Sequence, residues 1–171
     1  RGTRPSDIII FGDSAGGNLA LALTLSLRDR HLPLPKAMVL ISPWTYAVPN
    51  LPSHMNHYQK DQIVGAKNVR LAGEIKQPSY AKGLDPTDPY LSPACADLMG
   101  LPPMLITAGG DELLLDDAAL LAAHAEATGV PVQFTVYPHM SHDWTIFLPE
   151  LPESAAMDAE IRQFVDAQLK R

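Results

Sequence analysis

An α/β fold built on a parallel sheet is what the sequence predicts, on three observations. Short apolar runs recur at Ile8 to Phe11, Ala37 to Ser42, Met104 to Ala108 and Val132 to Tyr137, and longer helix-patterned segments stand between them. That alternation is the pattern of strands joined by helical crossovers. The first runs are apolar at nearly every position, which suits strands buried on both faces. Third, Gly12-Asp13-Ser14-Ala15-Gly16 joins the first run to an Ala/Leu-rich segment and reads G-x-S-x-G in a strand, sharp turn, helix setting. With 171 residues and 46% hydrophobic content, one domain covering 1–171 can bury a core.

Taken in order, Ile8 to Phe11 is expected as a central strand. The turn at Gly12 to Gly16 follows, and a Cβ on either side of Ser14 is expected to clash there. Asn18 to Arg30 carries Leu19, Leu21, Leu23, Leu25 and Leu27 and reads as a helix that is apolar nearly all round. Pro33 and Pro35 end it, and Ala37 to Ser42 is the second strand, closed by Pro43. Residues 44–93 are proline-dotted and mixed in polarity, with one helix expected around Lys67 to Glu74. An insertion of this length is usually functional, and it reads as a cap. Met104 to Ala108 is the third strand, ending in Gly109-Gly110. Asp116 to Thr128 is an alanine-rich helix stopped by Gly129, and Val132 to Tyr137 is the fourth strand. A last helix is expected from Ser154, as its N-cap, to Lys170.

Composition narrows the function classes. A net charge of -6 without a Lys/Arg-rich block argues against nucleic acid or an anionic membrane as partner and suits a neutral or cationic small substrate. No apolar run approaches the roughly 18 residues needed to cross a bilayer, and Arg1 to Pro5 has no apolar region of a signal peptide behind it. Cys95 is the only cysteine, which excludes an internal disulfide. Together these favour a cytoplasmic location. No cofactor is expected. The spacings of His54 with His57 and of His139 with His142 fit solvated loop histidines better than a metal site, because no cysteine or carboxylate stands at ligand spacing. His124 is expected on a helix face, and Cys95 as a packed small hydrophobe. Trp44, Tyr46, Met55 and Tyr58 are candidates for an apolar pocket or for core.

The bare G-x-S-x-G pattern should occur by chance in roughly one chain in twenty of this length, so its surroundings must carry it. A serine nucleophile needs a base and an orienting acid, and downstream loops offer both in the order acid, then histidine. The third strand leads into Asp111-Glu112, and the fourth into Pro138-His139-Met140-Ser141-His142. Both lie at the carboxyl ends of expected strands, where open α/β sheets bind ligands.

The set Gly12-Asp13-Ser14-Ala15-Gly16-Gly17-Asn18, Ser42-Pro43-Trp44, Asp88-Pro89-Tyr90-Leu91-Ser92-Pro93, Leu101-Pro102-Pro103 and Val136-Tyr137-Pro138 with His142 resembles the hormone-sensitive-lipase-like branch of the α/β-hydrolases. The resemblance covers nearly the whole chain. It implies a carboxylic ester hydrolase that works through an acyl-enzyme beneath a cap, for short or medium acyl chains. Ser14 matches the nucleophile and His142 the general base. The family register puts the triad acid on Glu112; Asp111, one position earlier, needs a shifted loop and stays open as the alternative. The N–H of Ala15 would donate to the oxyanion. Asp88 and Ser92 would fix the return from the cap. Asp143 and Trp144 stand where the family usually has Gly and Phe.

By the same comparison the chain corresponds to strands 5 to 8, the C-terminal half of the fold. Only eleven residues precede Gly12, and the family's His-Gly-Gly oxyanion loop and first strands would lie before them. Two consequences are expected. The chain is weakly active or inactive as an ester hydrolase unless a complementing N-terminal half is supplied, with an impaired or inactive remnant or interaction module as the alternative. The strand at Ile8 presents an open apolar edge that invites pairing, self-association included.

Overall fold

The computed structural model describes residues 2–170. Four strands, β1 (Ile9–Asp13), β2 (Ala37–Ile41), β3 (Met104–Gly109) and β4 (Val132–Tyr137), form one parallel sheet in the order β1-β2-β3-β4. Ile9 pairs with Ala37, Met38 with Met104, and Met104 with Val132. Every carboxyl end therefore lies along the same sheet edge.

Alternation of side chains across the pleat assigns the faces. Met38, Leu40, Met104, Ile106 and Ala108 pack with Leu21 and Leu25 of α1 (Ser14–Asp29) and with Leu121 and Ala125 of a later helix (Leu115–Ala127). Val39 and Leu105 point the other way, with Ile9, and meet Phe164 of the C-terminal helix (Pro152–Leu169). β3 is buried at all six positions, as an inner strand covered on both faces should be.

Between β2 and β3 lie α2 (Pro52–Asn56), α3 (Val69–Lys76) and several 3-10 turns. This stretch has a core of its own, in which Trp44, Val64, Ala72 and Ile75 pack on Leu113 and Leu114. The remaining helices are α4 (Leu115–Ala127), α5 (Trp144–Phe147) and α6 (Pro152–Leu169). Gly129, at φ 79°, ends α4 in the left-handed region. The N–H groups of Val130 and Gly129 bond back to the carbonyls of Ala125 and Glu126 at 2.9 and 3.0 Å, which absorbs two helix-end acceptors.

Five expectations are corrected. β1, with Phe11 52% exposed, is not buried on both faces as its apolar run suggests; it lies at the sheet edge, as the open edge expected at Ile8 requires. α1 is apolar on most sides but buried on one: Leu19 and Leu23 are 69% and 48% exposed, because no other element covers that flank. Ser154 is not the N-cap of α6; Leu151 is, Pro152 opens the helix, and the Ser154 hydroxyl donates to the Leu148 carbonyl at 2.8 Å. Cys95 is exposed rather than packed. His54 is fully buried rather than solvated, for the reason given below. No helix among the described residues is long and apolar enough to cross a membrane.

Candidate active site

Each strand hands one side chain to the common edge: Ser14 directly after β1, Ser42 after β2, Glu112 after β3 and His142 after β4. Ser14 takes a left-handed backbone at φ 50°, which a non-glycine residue holds only where its surroundings enforce it. Enforcement comes from close packing. A Cβ at Gly12 would overlap the backbone of Gly16 and Gly17, and one at Gly17 would reach 2.7 Å from Pro43 Cβ. At Gly16 the nearest atom would be Asp13 Oδ1 at an ordinary 3.5 Å. The expected clash on both sides of the serine is thus real at Gly12 and absent at Gly16, and the second tight glycine is Gly17.

His142 Nε2 lies 2.9 Å from Ser14 Oγ, across 128 positions of sequence. The imidazole is buried, 3% exposed. Glu112 is buried completely; its Oε2 accepts from Ser42 Oγ at 2.6 Å and from the Gly109 N–H at 2.9 Å. Its Oε1 and the Nδ1 of His142 are both buried without a hydrogen-bond partner. Asp111 instead turns outward, with Lys60 Nζ at 3.8 Å and His139 Nδ1 at 3.7 Å. The alternative acid is therefore not placed at the serine and histidine.

Burial pushes the Glu112 carboxyl up to about 7, against the lowering influence of His142, the Ser42 hydroxyl and the Gly109 N–H. Burial alone would depress His142, but the carboxylates of Asp143, Glu112 and Asp61 more than offset it and hold the imidazolium above its ordinary value.

Ser14, His142, Asp143, Trp44, Ile75 and Phe147 line a cavity of about 260 Å³. A larger cavity of about 640 Å³, walled by Met55, Lys76, Lys82 and Leu84, contains none of Ser14, Glu112 or His142. The chemistry places the site at the smaller one. Of the four aromatic and methionine candidates, only Trp44 reaches it. Tyr58 packs on the core of the 44–93 segment, and Tyr46 offers its N–H to Asp117. Ala15 sits in the first turn of α1, where N–H groups have no intrahelical acceptor.

The supporting shell explains the other histidines. His54 Nε2 pairs with Asp117 Oδ2 at 2.6 Å, while Asp117 Oδ1 accepts the N–H groups of Thr45 and Tyr46. His57 Nδ1 lies 3.1 Å from the Glu112 carbonyl, and His124 Nδ1 lies 3.0 Å from that of Ala94. His139 is an exposed loop residue. Among the described residues no three His, Cys, Asp or Glu side chains gather as a metal site would require. Ser92 Oγ accepts from the Ala47 N–H at 2.8 Å, and the Ser92 N–H bonds the Asp88 carbonyl at 2.7 Å. The Asp88-to-Ser92 turn is thereby tied to the strand-end loop of β2. Ser42, at φ 44°, and Asp143, at φ 49°, are the residues that sequence reasoning left without a site role. The readable signal for Asp143 was its departure from glycine beside the histidine.

A family model described as alpha/beta hydrolase fold matches residues 1–146. The chain belongs to this family. Among similar α/β-hydrolases, an acetyl-hydrolase of Streptomyces hygroscopicus is 40% identical over 153 residues, covering 90% of this chain and 50% of that protein. An esterase of Acinetobacter venetianus is 36% identical over 164 residues, covering 96% and 53%. A solved esterase of the bacterial hormone-sensitive lipase family superposes with a TM-score of 0.87 at 40% identity, over 98% of this chain and 55% of the other. This α/β-hydrolase chain spans about half the length of the curated relatives it matches.

Proposed function

We propose that this chain carries the nucleophile, base and acid of a serine ester hydrolase of the hormone-sensitive-lipase-like branch, with the 44–93 segment as its cap. The observation that carries the reading is the 2.9 Å approach of His142 Nε2 to Ser14 Oγ at the carboxyl edge of the sheet. Relatives named as esterases and acetyl-hydrolases support it.

In this reading Ser14 Oγ attacks the ester carbonyl carbon while its proton passes to His142 Nε2. The same proton then goes to the departing alkoxide, leaving an acyl-serine. Water repeats the sequence and releases the acid, again with His142 as base. Glu112 orients the imidazole and stabilises the imidazolium, with its Oε1 and His142 Nδ1 as the buried polar atoms that no other group occupies. The Ala15 N–H and the positive end of α1 face the developing oxyanion. The apolar walls of the 260 Å³ cavity fit a small neutral ester with a short or medium acyl chain.

One oxyanion donor is fewer than acyl transfer employs, and loss of a donor costs about 10²- to 10³-fold in rate. The second donor would come from the other half of a full-length α/β-hydrolase. That single donor also motivates the competing reading, an impaired remnant or interaction module. A fluorophosphonate probe separates the two. Labelling of the 171-residue chain that is lost in Ser14→Ala supports an assembled nucleophile, and a chain that never labels, even next to a supplied N-terminal half, refutes it.

A further inference from the structure

His142 Nε2 has two oxygens beside it, and one of them has no part in the mechanism above. Ser14 Oγ is hydrogen-bonded to it at 2.9 Å, and Asp143 Oδ2 stands 3.0 Å away on its flank. Asp143 is only 5% exposed, and its second oxygen, Oδ1, is buried with no partner. The side chain is aimed by its backbone: φ 49° and ψ 34° put Asp143 in the left-handed region at the start of α5, and its N–H is held by Ser42 Oγ at 3.3 Å. It lines the cavity that holds Ser14.

An imidazole nitrogen carries either a lone pair or a proton, and the two states meet Asp143 differently. With the lone pair outward, Ser14 O–H donates to Nε2 and the carboxylate beside it is repelled. With a proton on Nε2, the carboxylate attracts it. The contact thus favours a proton on Nε2, in the imidazolium and in the neutral Nε2–H tautomer alike, on the nitrogen where the proton from Ser14 arrives.

We propose that Asp143 is a second carboxylate partner of the base: it stabilises the His142 imidazolium at Nε2 after proton transfer, and competes with Ser14 for that nitrogen before it. Asp143 itself takes no proton. The proton moves from Ser14 Oγ to Nε2 and onward to the leaving oxygen, and the electron pair of the O–H bond forms the new bond to carbonyl carbon. The assignment rests on the ester-hydrolase reading for its role in turnover.

The charged groups facing His142 are few and of one sign. Glu112 faces it from the loop after β3 and Asp61 from the segment after α2, while Asp143 is its own chain neighbour. Glu74 of α3 lies on the same cavity wall, and no lysine or arginine among the described residues lines it. Lys60 is turned toward Asp111. Removing Asp143 therefore takes away the one carboxylate in contact with Nε2 and leaves Glu112 and Asp61 acting on the ring.

The test is a pH titration of the His142 ring resonances by NMR, assigned with His142→Gln, in the 171-residue chain and in Asp143→Asn, Asp143→Gly and Asp111→Asn. Asparagine and glycine both accept the left-handed backbone. The midpoint is expected to fall by about one pH unit, a tenfold change in the protonation constant, in both Asp143 variants. Asp111→Asn should leave it in place. An unchanged midpoint in both Asp143 variants overturns the assignment whether or not Ser14 takes the phosphonate. A falling midpoint in a chain that never labels, even next to a supplied N-terminal half, upholds the contact and refutes the hydrolase reading instead.

Discussion

Glu112 is held by two donors but sits where no water reaches it, and the two facts act in opposite directions. Its carboxyl, ordinarily near 4.5, is pushed to about 7 in the folded chain because burial outweighs the Ser42 and Gly109 bonds. The folded state therefore binds this proton more tightly than the unfolded one, so the stabilisation is complete below about 4.5 and is lost as pH rises through 7. Glu112→Gln keeps an acceptor for both donors and removes the charge. It is expected to leave stability near pH 4 little changed and to raise it by up to about 3 kcal/mol at pH 8. Urea unfolding of both proteins at the two pH values measures this, and an equal difference at pH 4 and pH 8 would refute it. Ser14 and His142 were readable because a nucleophile turn and a strand-end histidine have local signatures. Ser42 was not, because its use depends on a carboxylate 70 positions away.

Among elements, α2 owes its place to tertiary bonds rather than to propensity, since five residues cannot sustain a helix in water. His54 and Ser53 fasten it to the start of α4: His54 pairs with Asp117, Ser53 Oγ donates to the Leu113 carbonyl at 2.7 Å, and the Ser53 N–H donates to Asp116 Oδ2 at 2.8 Å. His54→Ala strands a buried carboxylate, which typically costs about 3–5 kcal/mol. Adding Asp117→Asn should recover part of that loss, because an amide oxygen can still accept from Thr45 and Tyr46 without a buried charge. Chemical denaturation of the two variants checks both statements; a single variant within about 1 kcal/mol of the parent would show that the pair is not structural. The strands and α4 were readable to within two residues, since continuous apolar runs and a glycine stop are local facts. The burial of His54 depends on Asp117, 63 positions along the chain, and no local window contains it, whereas the start of α6 is set locally by Pro152 in its first turn.

Across the whole molecule, β1 and β4 are both edge strands of the sheet, and they are finished differently. β4 sets Gln133, Thr135 and Tyr137 toward Glu160 of α6, a polar finish to its edge. β1 has no such finish. It carries no lysine or proline, Phe11 is exposed on the α6 face, and Leu19 and Leu23 are exposed on the helix that covers the other face. An unpaired strand flanked by apolar side chains on both faces is a pairing surface. Relatives twice as long have further chain to cover it, and the occupant we expect in a full-length protein is that half. For the 171-residue chain alone the expected outcome is self-association. Phe11→Lys with Leu23→Glu places charge on each side of the edge at two half-exposed positions, and should move the chain toward monomer. Sedimentation velocity at micromolar concentration reads the result directly. A parent chain that is already monomeric there, or a double variant that associates as strongly as the parent, would show that the open edge is not the surface through which this half of the fold finds a partner.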